Sequence, residues 1–114
     1  MQRVGEAPDG LDVAHVFGYR SGGAKVTARK LQKTAQSKTV VFTIPAHFHA
    51  DRENMHKGDQ LIYIIEDTVT ARVPGKEHDL KAGDLLMIPA GAPHTLGRGT
   101  EPMFGFTVFA PPEA

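Results

Sequence analysis

The sequence predicts an all-β domain, either a sandwich or a barrel, and three observations support this fold class. Segments typical of strands are numerous and short, and residues that favour turns separate them. The three- and four-residue spacing of apolar side chains that marks an amphipathic helix is not sustained anywhere in the chain. The length of 114 residues suits one domain with one core.

The first third of the chain carries the weaker strand signals. Residues 13–17 are predicted to form a first strand, which the small residues 21–23 end. Residues 25–31 alternate loosely between polar and apolar types and are predicted to form an edge strand or an arm. Residues 39–44 are β-branched and aromatic and stop at Pro45, so they are predicted to form the next strand.

The remaining strands are predicted from short apolar or alternating runs. The run 61–65 carries the strongest strand signal in the chain. Pro74-Gly75 predicts a type II turn between two antiparallel strands, because proline suits the second position of that turn and glycine the third. Further strands are predicted at residues 69–73, 77–80, 85–89, 94–96 and 104–108.

The strand at 61–65 is apolar on both of its faces. Leu61, Tyr63 and Ile65 lie opposite to Ile62 and Ile64, because side chains alternate along a strand. A small barrel cannot cover both faces by itself, and an exposed apolar patch usually marks an interface. We therefore expect a homodimer with two-fold symmetry. The alternative is that the N-terminal strands cover the outer face within the same chain.

The composition argues against several classes of function. The formal net charge is zero, and no basic surface with stacking aromatic residues is evident, so neither nucleic acid nor a membrane is an expected partner. The absence of cysteine removes disulfides, thiolate ligands and cysteine nucleophiles. Residues 1–10 lack the apolar segment of a signal peptide, and no apolar run is long enough to cross a bilayer. We therefore expect a soluble, cytoplasmic protein.

The most informative motif is the run GDLLMIPAGAPH at residues 83–94. It combines a short apolar strand, a turn rich in proline and glycine, and a single histidine. The glycines and prolines are suited to a tight turn. His94 then begins the next strand, where its side chain can be held rigidly and directed into the interior of a barrel.

This run resembles the second motif of the cupin family, which reads G, five residues, P-x-G, two residues, H, three residues, N. Gly83, Pro89, Gly91 and His94 stand at the matching positions. The final asparagine of the pattern is replaced by Arg98.

The resemblance implies a cupin fold, which is the double-stranded β-helix or RmlC-like jelly-roll barrel, a closed all-β architecture. It implies one cupin domain over residues 1–114, with residues 1–37 as an arm or edge and residues 38–110 as the core barrel. The similarity extends over most of residues 39–109. Asp59-Gln60 followed by an apolar strand also resembles a subset of small cupins described as mannose-6-phosphate-isomerase-like or polyketide-synthesis proteins.

The first cupin motif, H-x-H, three or four residues, E, then an apolar strand, has two possible placements here. The literal one uses His47, His49 and Glu53, but the strand that should follow then begins too late. Counting back from Tyr63 in that strand gives Asn54, His56 and Gln60 instead. We prefer the second placement, because a slip of one residue would reverse every side chain of the strand.

In metal-binding cupins three histidines and one glutamate hold a divalent ion. Carried over to this chain, the resemblance implies His56, Gln60 and His94 as metal ligands, with Asn54 as a possible fourth. The carboxylate is missing, so the facial triad of non-haem iron oxygenases is incomplete and an oxygenase is disfavoured. A divalent transition metal, which could be zinc, nickel, manganese or iron, is the expected cofactor.

His47 and His49 have three possible roles. They could add ligands to the metal, they could act as acid–base catalysts, or they could be solvent-exposed histidines at the rim of the barrel. The expected function is binding of a metal ion and a small organic molecule in the barrel, with chemistry of the isomerase or cyclase type. The alternatives are a non-catalytic, metal-free protein that binds a small ligand, and a sensor or assembly module.

Overall fold

Eight strands, all paired antiparallel, form two sheets in the computed structural model, which describes residues 11–22, 24–50 and 52–112. A short 3₁₀ helix, Val16–Tyr19, precedes the first strand. The prediction of an all-β fold is confirmed. The strands are β1 (Thr27–Lys33), β2 (Lys38–Ile44), β3 (Asp59–Glu66), β4 (Thr68–Val73), β5 (Lys76–Lys81), β6 (Leu85–Ile88), β7 (Thr95–Gly97) and β8 (Met103–Ala110).

The larger sheet has five strands in the order β1-β2-β8-β3-β6, and the smaller sheet has three in the order β5-β4-β7. The last strand, β8, lies between β2 and β3, so the two ends of the core segment meet at the centre of the larger sheet. From β3 onward the chain passes repeatedly between the two sheets, with β3, β6 and β8 in the larger sheet and β4, β5 and β7 in the smaller one. Such crossing between two sheets is the pattern of a jelly roll.

The inner face of the larger sheet carries the core that lies between the two sheets. Ile62 and Ile64 on β3 are fully buried there, as the predicted phase of this strand requires. Gln60, on the same face of β3, is also buried. The other buried members of this core are Phe42, Ile44, Val69, Ile88 and Met103.

The outer face of the larger sheet is covered in part by the N-terminal segment. Val41 and Phe104 are buried on this face together with Leu31 of β1, and Val16 and Tyr19 of the 3₁₀ helix pack against them. In this part of the face, the N-terminal segment of the same chain therefore provides the cover, which is the alternative to a dimer given above.

The cover is incomplete at the edge strand β6. Leu85 and Met87 remain 64% and 53% exposed, respectively. Their cross-strand neighbours on β3 are Tyr63 and Leu61, which are half-buried. An apolar strip thus remains open beside the covered region.

The strand predicted at residues 13–17 is wrong. Val13 makes only an isolated bridge, and Val16–Tyr19 forms the 3₁₀ helix. The apolar side chains at 16 and 19 are one 3₁₀ turn apart and both contact the sheet, so packing on the sheet replaces strand pairing. Gly23 of the predicted break lies outside the described residues.

The other predicted strands are present with shifted ends. The edge strand predicted at residues 25–31 runs over Thr27–Lys33 and contains a register shift between Lys30 and Gln32. Gly75 has a φ of 76° between β4 and β5, as the predicted type II turn requires. Within the described ranges, no helix has the length and apolar composition needed to span a bilayer.

Candidate functional site

A cavity of about 470 Å³ lies at one end of the barrel, beside the filled core. Its wall is mainly apolar, which is usual for a site that binds a small molecule. The apolar lining residues are Val26, Ala28, Val40, Phe42, Ile44, Phe48, Ala50, Leu96 and Phe109. The polar lining residues are Arg52, Asn54, His56, Gln60, His94 and Thr107.

The segment that precedes β3 contributes every second residue to this wall. Positions 48, 50, 52, 54 and 56 line the cavity, whereas positions 47, 49, 53 and 55 do not. The backbone N–H of Asn54 donates to the carbonyl of His94 at 2.8 Å, and the N–H of His94 donates back at 3.0 Å. This isolated bridge holds the segment against the start of β7, so Asn54 and His94 lie side by side.

The structure places His47 and His49 outside the cavity wall. The N–H of His47 donates to the carbonyl of Gly99 at 2.7 Å, and the residue has a positive φ of 59°. His49 lines a separate depression of about 50 Å³ that also includes Arg72 and Arg98. Neither histidine of the literal placement therefore lines the cavity, whereas Asn54, His56 and Gln60, which the other placement selects, all do.

The turn of the second motif connects the two histidines of the cavity. Gly91 has a φ of 79°, which glycine adopts without a steric penalty. Its backbone N–H donates to the carbonyl of His56 at 2.8 Å. The turn that presents His94 thus also fixes the backbone of His56, and the two ring centres are 5.5 Å apart.

His94 is 3% exposed, and the local geometry selects one tautomer of its ring. Nδ1 lies 3.0 Å from the carbonyl oxygen of Ala92. Because a carbonyl can only accept, Nδ1 carries the proton and Nε2 of the neutral ring keeps its lone pair. A histidine that binds a metal usually donates its other ring N–H to such an acceptor.

The pKa of His94 is lowered from its ordinary value, chiefly because burial penalises the charged ring. The charge of His56 lowers the pKa further, while the hydrogen bond to Ala92 and the charge of Glu53 raise it. The net direction favours the neutral ring, which is the form that binds a metal or accepts a hydrogen bond.

The rings of His56 and His94 are spaced as two ligands of one ion would be. Two imidazoles that bind one tetrahedral ion at about 2.0–2.1 Å have ring centres roughly 5 Å apart. The observed separation of 5.5 Å is close to this value. The ring centres of His56 and Phe109 lie 4.7 Å apart in an edge-to-face arrangement, and this contact restricts the orientation of His56.

Gln60 is 6% exposed and carries a buried acceptor for which the described residues provide no partner. Its Nε2 donates to Oγ1 of Thr107 at 3.1 Å, and that hydroxyl donates its only proton to the carbonyl of Leu61 at 2.7 Å. Since Oγ1 can then only accept, the amide orientation is fixed and Oε1 is the atom left unpaired. Burial of an unpaired acceptor costs stability, so Oε1 is suited to accept a hydrogen bond from a ligand or to bind a cation.

The donor set differs from that of a standard carboxylate-containing metal site. In the described part of the chain, no group of three or more His, Cys, Asp or Glu side chains is arranged to hold a metal. The donors that fit an ion are the imidazoles of His56 and His94 and the amide oxygen of Gln60. Such neutral nitrogen and oxygen donors suit a borderline divalent metal such as zinc or nickel.

Arg52, Thr107 and Phe109 are among the lining residues that the sequence did not identify as part of the site. Arg52 lies two residues before Asn54 and four before His56, so the alternation of side chains along an extended segment could have identified it. Thr107 and Phe109 lie on β8 opposite Ile62 and Gln60, and no local pattern in the sequence reveals that pairing.

Comparison with known proteins identifies the architecture. The family model described as the cupin domain matches residues 40–109. No match was found among proteins with curated functions.

Solved structures with this fold include proteins from bacteria and archaea. A conserved protein with a double-stranded β-helix domain from Klebsiella pneumoniae is 23% identical, with a TM-score of 0.76 over 87% of this chain and 89% of that one. An RmlC-like cupin from Methanocaldococcus jannaschii is 16% identical, with a TM-score of 0.71 over 82% and 86%. KdgF from a Halomonas species is 15% identical, with a TM-score of 0.71 over 82% and 86%. The predicted double-stranded β-helix is confirmed.

Proposed function

The chain belongs to the cupin domain family, and we propose that its barrel binds a divalent transition-metal ion together with a small organic molecule. The observation that carries this proposal is the presence of His56, His94 and the unpaired amide oxygen of Gln60 in one cavity wall. The cavity volume of about 470 Å³ falls in the range of small-molecule sites.

His56 and His94 would bind the ion through ring nitrogens, and Gln60 would bind it through Oε1. Asn54, whose backbone is paired with His94, is the candidate for a fourth ligand. Imidazole donors suit zinc and nickel, and manganese or iron would depend more on the oxygen donors.

A bound ion would act as a Lewis acid on an oxygen of the organic molecule. Isomerisation or cyclisation fits this site better than oxygen activation does, because no described residue of its wall supplies the carboxylate of the iron-oxygenase triad. The chain itself supplies the walls: Phe42, Phe48 and Phe109 would hold the organic molecule and keep water from most of its surface.

Metal content after purification without added metal salts, followed by reconstitution, tests the proposal. The chain offers a matched control, because His47 and His49 can be removed in the same number as His56 and His94. We expect about one ion per chain in the wild type and in the His47→Ala/His49→Ala variant. We expect the ion to be lost in the His56→Ala/His94→Ala variant, with circular dichroism verifying that both variants are folded.

The second candidate function is a metal-free cupin that binds a small ligand in the same cavity. It is favoured by the absence of a cluster of three His, Cys, Asp or Glu ligands among the residues described. A wild-type protein that takes up no ion, yet carries an organic molecule in native mass spectrometry, would replace the first proposal by this one.

We further propose that the protein acts as a homodimer in the cytoplasm. The uncovered apolar strip of Leu85 and Met87 supports an interface between two copies. The cysteine-free sequence is compatible with a reducing compartment. Light scattering of the purified protein measures the oligomeric state directly.

A further inference from the structure

Arg52 provides the only charge in the described part of the cavity wall. The other polar groups of that wall are imidazole, amide and hydroxyl groups, and no described lining residue carries a carboxylate. Arg52 is also exposed, so it lies where the cavity meets solvent. A cation at the opening of a cavity with apolar walls raises the local concentration of anions.

The guanidinium of Arg52 also differs from those of the other described arginines in having no partner among the residues that the structure describes. No described carboxylate lies within ion-pair distance of Arg52. Its five N–H donors are therefore available to a ligand. The other described arginines have partners: Arg20 binds Glu66, Arg72 and Arg98 share Glu77, and Arg29 lies over the ring of Tyr19.

The position of Arg52 relates it to the donors deeper in the cavity. Arg52, Asn54 and His56 belong to the same alternating set of residues, so all three contribute to one wall. Four residues of extended chain span at most about 14 Å, which limits the backbone separation of Arg52 and His56. A molecule that reaches from one to the other is therefore of metabolite size.

The remainder of the wall determines the body of such a molecule. Phe48, Phe109 and Leu96 line the same cavity as Arg52 and the two histidines. A ligand that is polar along its whole length would lose hydration against these groups without forming hydrogen bonds. The wall favours an aromatic or aliphatic body with one charged end.

We infer that the organic ligand of this cavity is an anion with an apolar body, and that Arg52 binds its carboxylate or similar anionic group. This inference rests on the proposed function, since it assigns a ligand class to the same cavity. Arginine is suited to this role because its planar donors bind both oxygens of a carboxylate.

Binding of a matched pair of probes tests the inference. Hydrocinnamate carries a carboxylate on a phenyl-alkyl body, and hydrocinnamamide has the same shape without the charge. We expect hydrocinnamate to bind about tenfold more tightly than hydrocinnamamide, as expected for a hydrogen bond to a charged group. Titration followed by NMR locates the site: the methyl groups of Leu96 and Val40 should shift, and those of Leu85 on the outer face should not.

The Arg52→Gln variant should lose the preference for the charged probe, whereas Arg52→Lys should keep part of it. Arg29→Gln is the matched control, because it removes the same charge from a residue that does not line the cavity. Arg29→Gln should retain the tenfold preference. A dispersion of NMR signals like that of the wild type verifies that each variant is folded.

The contrary outcomes separate this inference from the proposed function. Equal affinity for the two probes in the wild type would overturn the role of Arg52 while leaving the cavity as a ligand site. Absence of binding by either probe would overturn the ligand class. Metal content, measured on the same samples, reports on the proposed metal site independently of both results.

Discussion

The two ends of the barrel are built from the same strands but are filled in different ways. On the inner face of β3, Ile62 and Ile64 belong to a buried apolar core, whereas Gln60 lines the cavity. Opposite them on β8, Thr107 and Phe109 contribute to the hollow, while Met103 belongs to the core. One strand thus passes from close packing to an open cavity within two residues.

This difference separates the residues that stabilise the fold from those available for binding. The filled end gains stability from the burial of its apolar side chains. The hollow end leaves Oε1 of Gln60 buried without a described partner, which costs stability. Such a local conflict within a consistent fold is typical of a functional site.

The largest expected effect comes from the filled end. Ile64 is 0% exposed and belongs to the central cluster but not to the cavity wall. The change Ile64→Ala should lower the free energy of unfolding by about 2–5 kcal/mol, through lost burial and the void that remains. Urea denaturation measures this loss.

A control for this change lies one residue away on the same strand. Ile65 faces the other side of the sheet and is only half-buried, so Ile65→Ala should cost clearly less. Metal affinity of the folded Ile64→Ala protein should remain near the wild-type value. Equal losses of stability for the two variants would contradict the claim that the core between the sheets stabilises the fold more than the outer face does.

Substitution of Gln60 at the cavity should change the free energy of unfolding in the opposite direction. The change Gln60→Leu removes the unpaired acceptor and adds apolar burial, at the cost of one hydrogen bond to Thr107. We expect the metal-free protein to gain about 1 kcal/mol in unfolding free energy and to lose metal binding. Thermal unfolding with and without metal measures both effects.

The change Gln60→Glu provides the matched contrast at the same position. It restores the carboxylate of the family pattern, but the acidic group would lie beside a Thr107 hydroxyl whose proton is bound to Leu61. Stability of the metal-free variant should fall as the pH rises through the raised pKa of this glutamate, because burial penalises its charge. Metal should reverse the loss. If the other change, Gln60→Leu, lowered the stability of the metal-free protein, Oε1 of Gln60 would not be an unsatisfied acceptor.

The features that the sequence predicted well are those encoded by local backbone constraints or by strand phase. Gly83, in the turn before β6, and Gly91, in the turn before His94, both have a positive φ, which glycine adopts without a steric penalty. Alternation along β3 placed Gln60 with Ile62 on the inner face because a strand permits only two phases. Both predictions needed no knowledge of distant contacts.

The features that the sequence did not predict depend on distant contacts. The orientation of Arg52 follows from the pairing of Asn54 with His94, which are forty residues apart in the chain. The segment at 13–17 has the composition of a strand, yet Val16 packs on Leu31 and Phe104 instead of joining a sheet. In these cases tertiary packing overrides local propensity.

The outer face of the sheet gives a third kind of surface, which neither fills a core nor lines the cavity. Leu85 and Met87 are mostly exposed there. The double change Leu85→Lys/Met87→Lys should shift the protein from dimer to monomer, because it places two charges in the proposed interface. Light scattering over a range of concentrations measures this shift.

The free energy of unfolding of each chain should change by no more than about 0.5 kcal/mol in that variant, since both side chains are already exposed to solvent. Lys76→Glu, on the exposed strand β5 away from this strip, is a control for altered surface charge. If the wild type were monomeric at all concentrations, the apolar strip would not be an interface between copies.

The smallest expected effect lies on the exposed surface of the smaller sheet. Hydrogen bonds from Arg98 and Arg72 lower the pKa of the Glu77 carboxyl. Because the folded-state pKa is lower than the unfolded one, the contribution of Glu77 is present at neutral pH and is lost as the pH falls through the folded-state pKa. The change Glu77→Gln should therefore lower Tm slightly at neutral pH, and this difference should shrink as the pH falls through the folded-state pKa.

Salt distinguishes this surface contribution from those of the two barrel ends. The Tm difference between wild type and Glu77→Gln should shrink in about 1 M salt, because an exposed ion pair is screened. The difference caused by Ile64→Ala should persist in salt, because it comes from packing. Glu101→Gln, at an exposed position without a described ion pair, is the control for loss of one negative charge. A salt-independent loss in Glu77→Gln alone would mean that Glu77 orders Arg98 and the end of β7 rather than acting through charge.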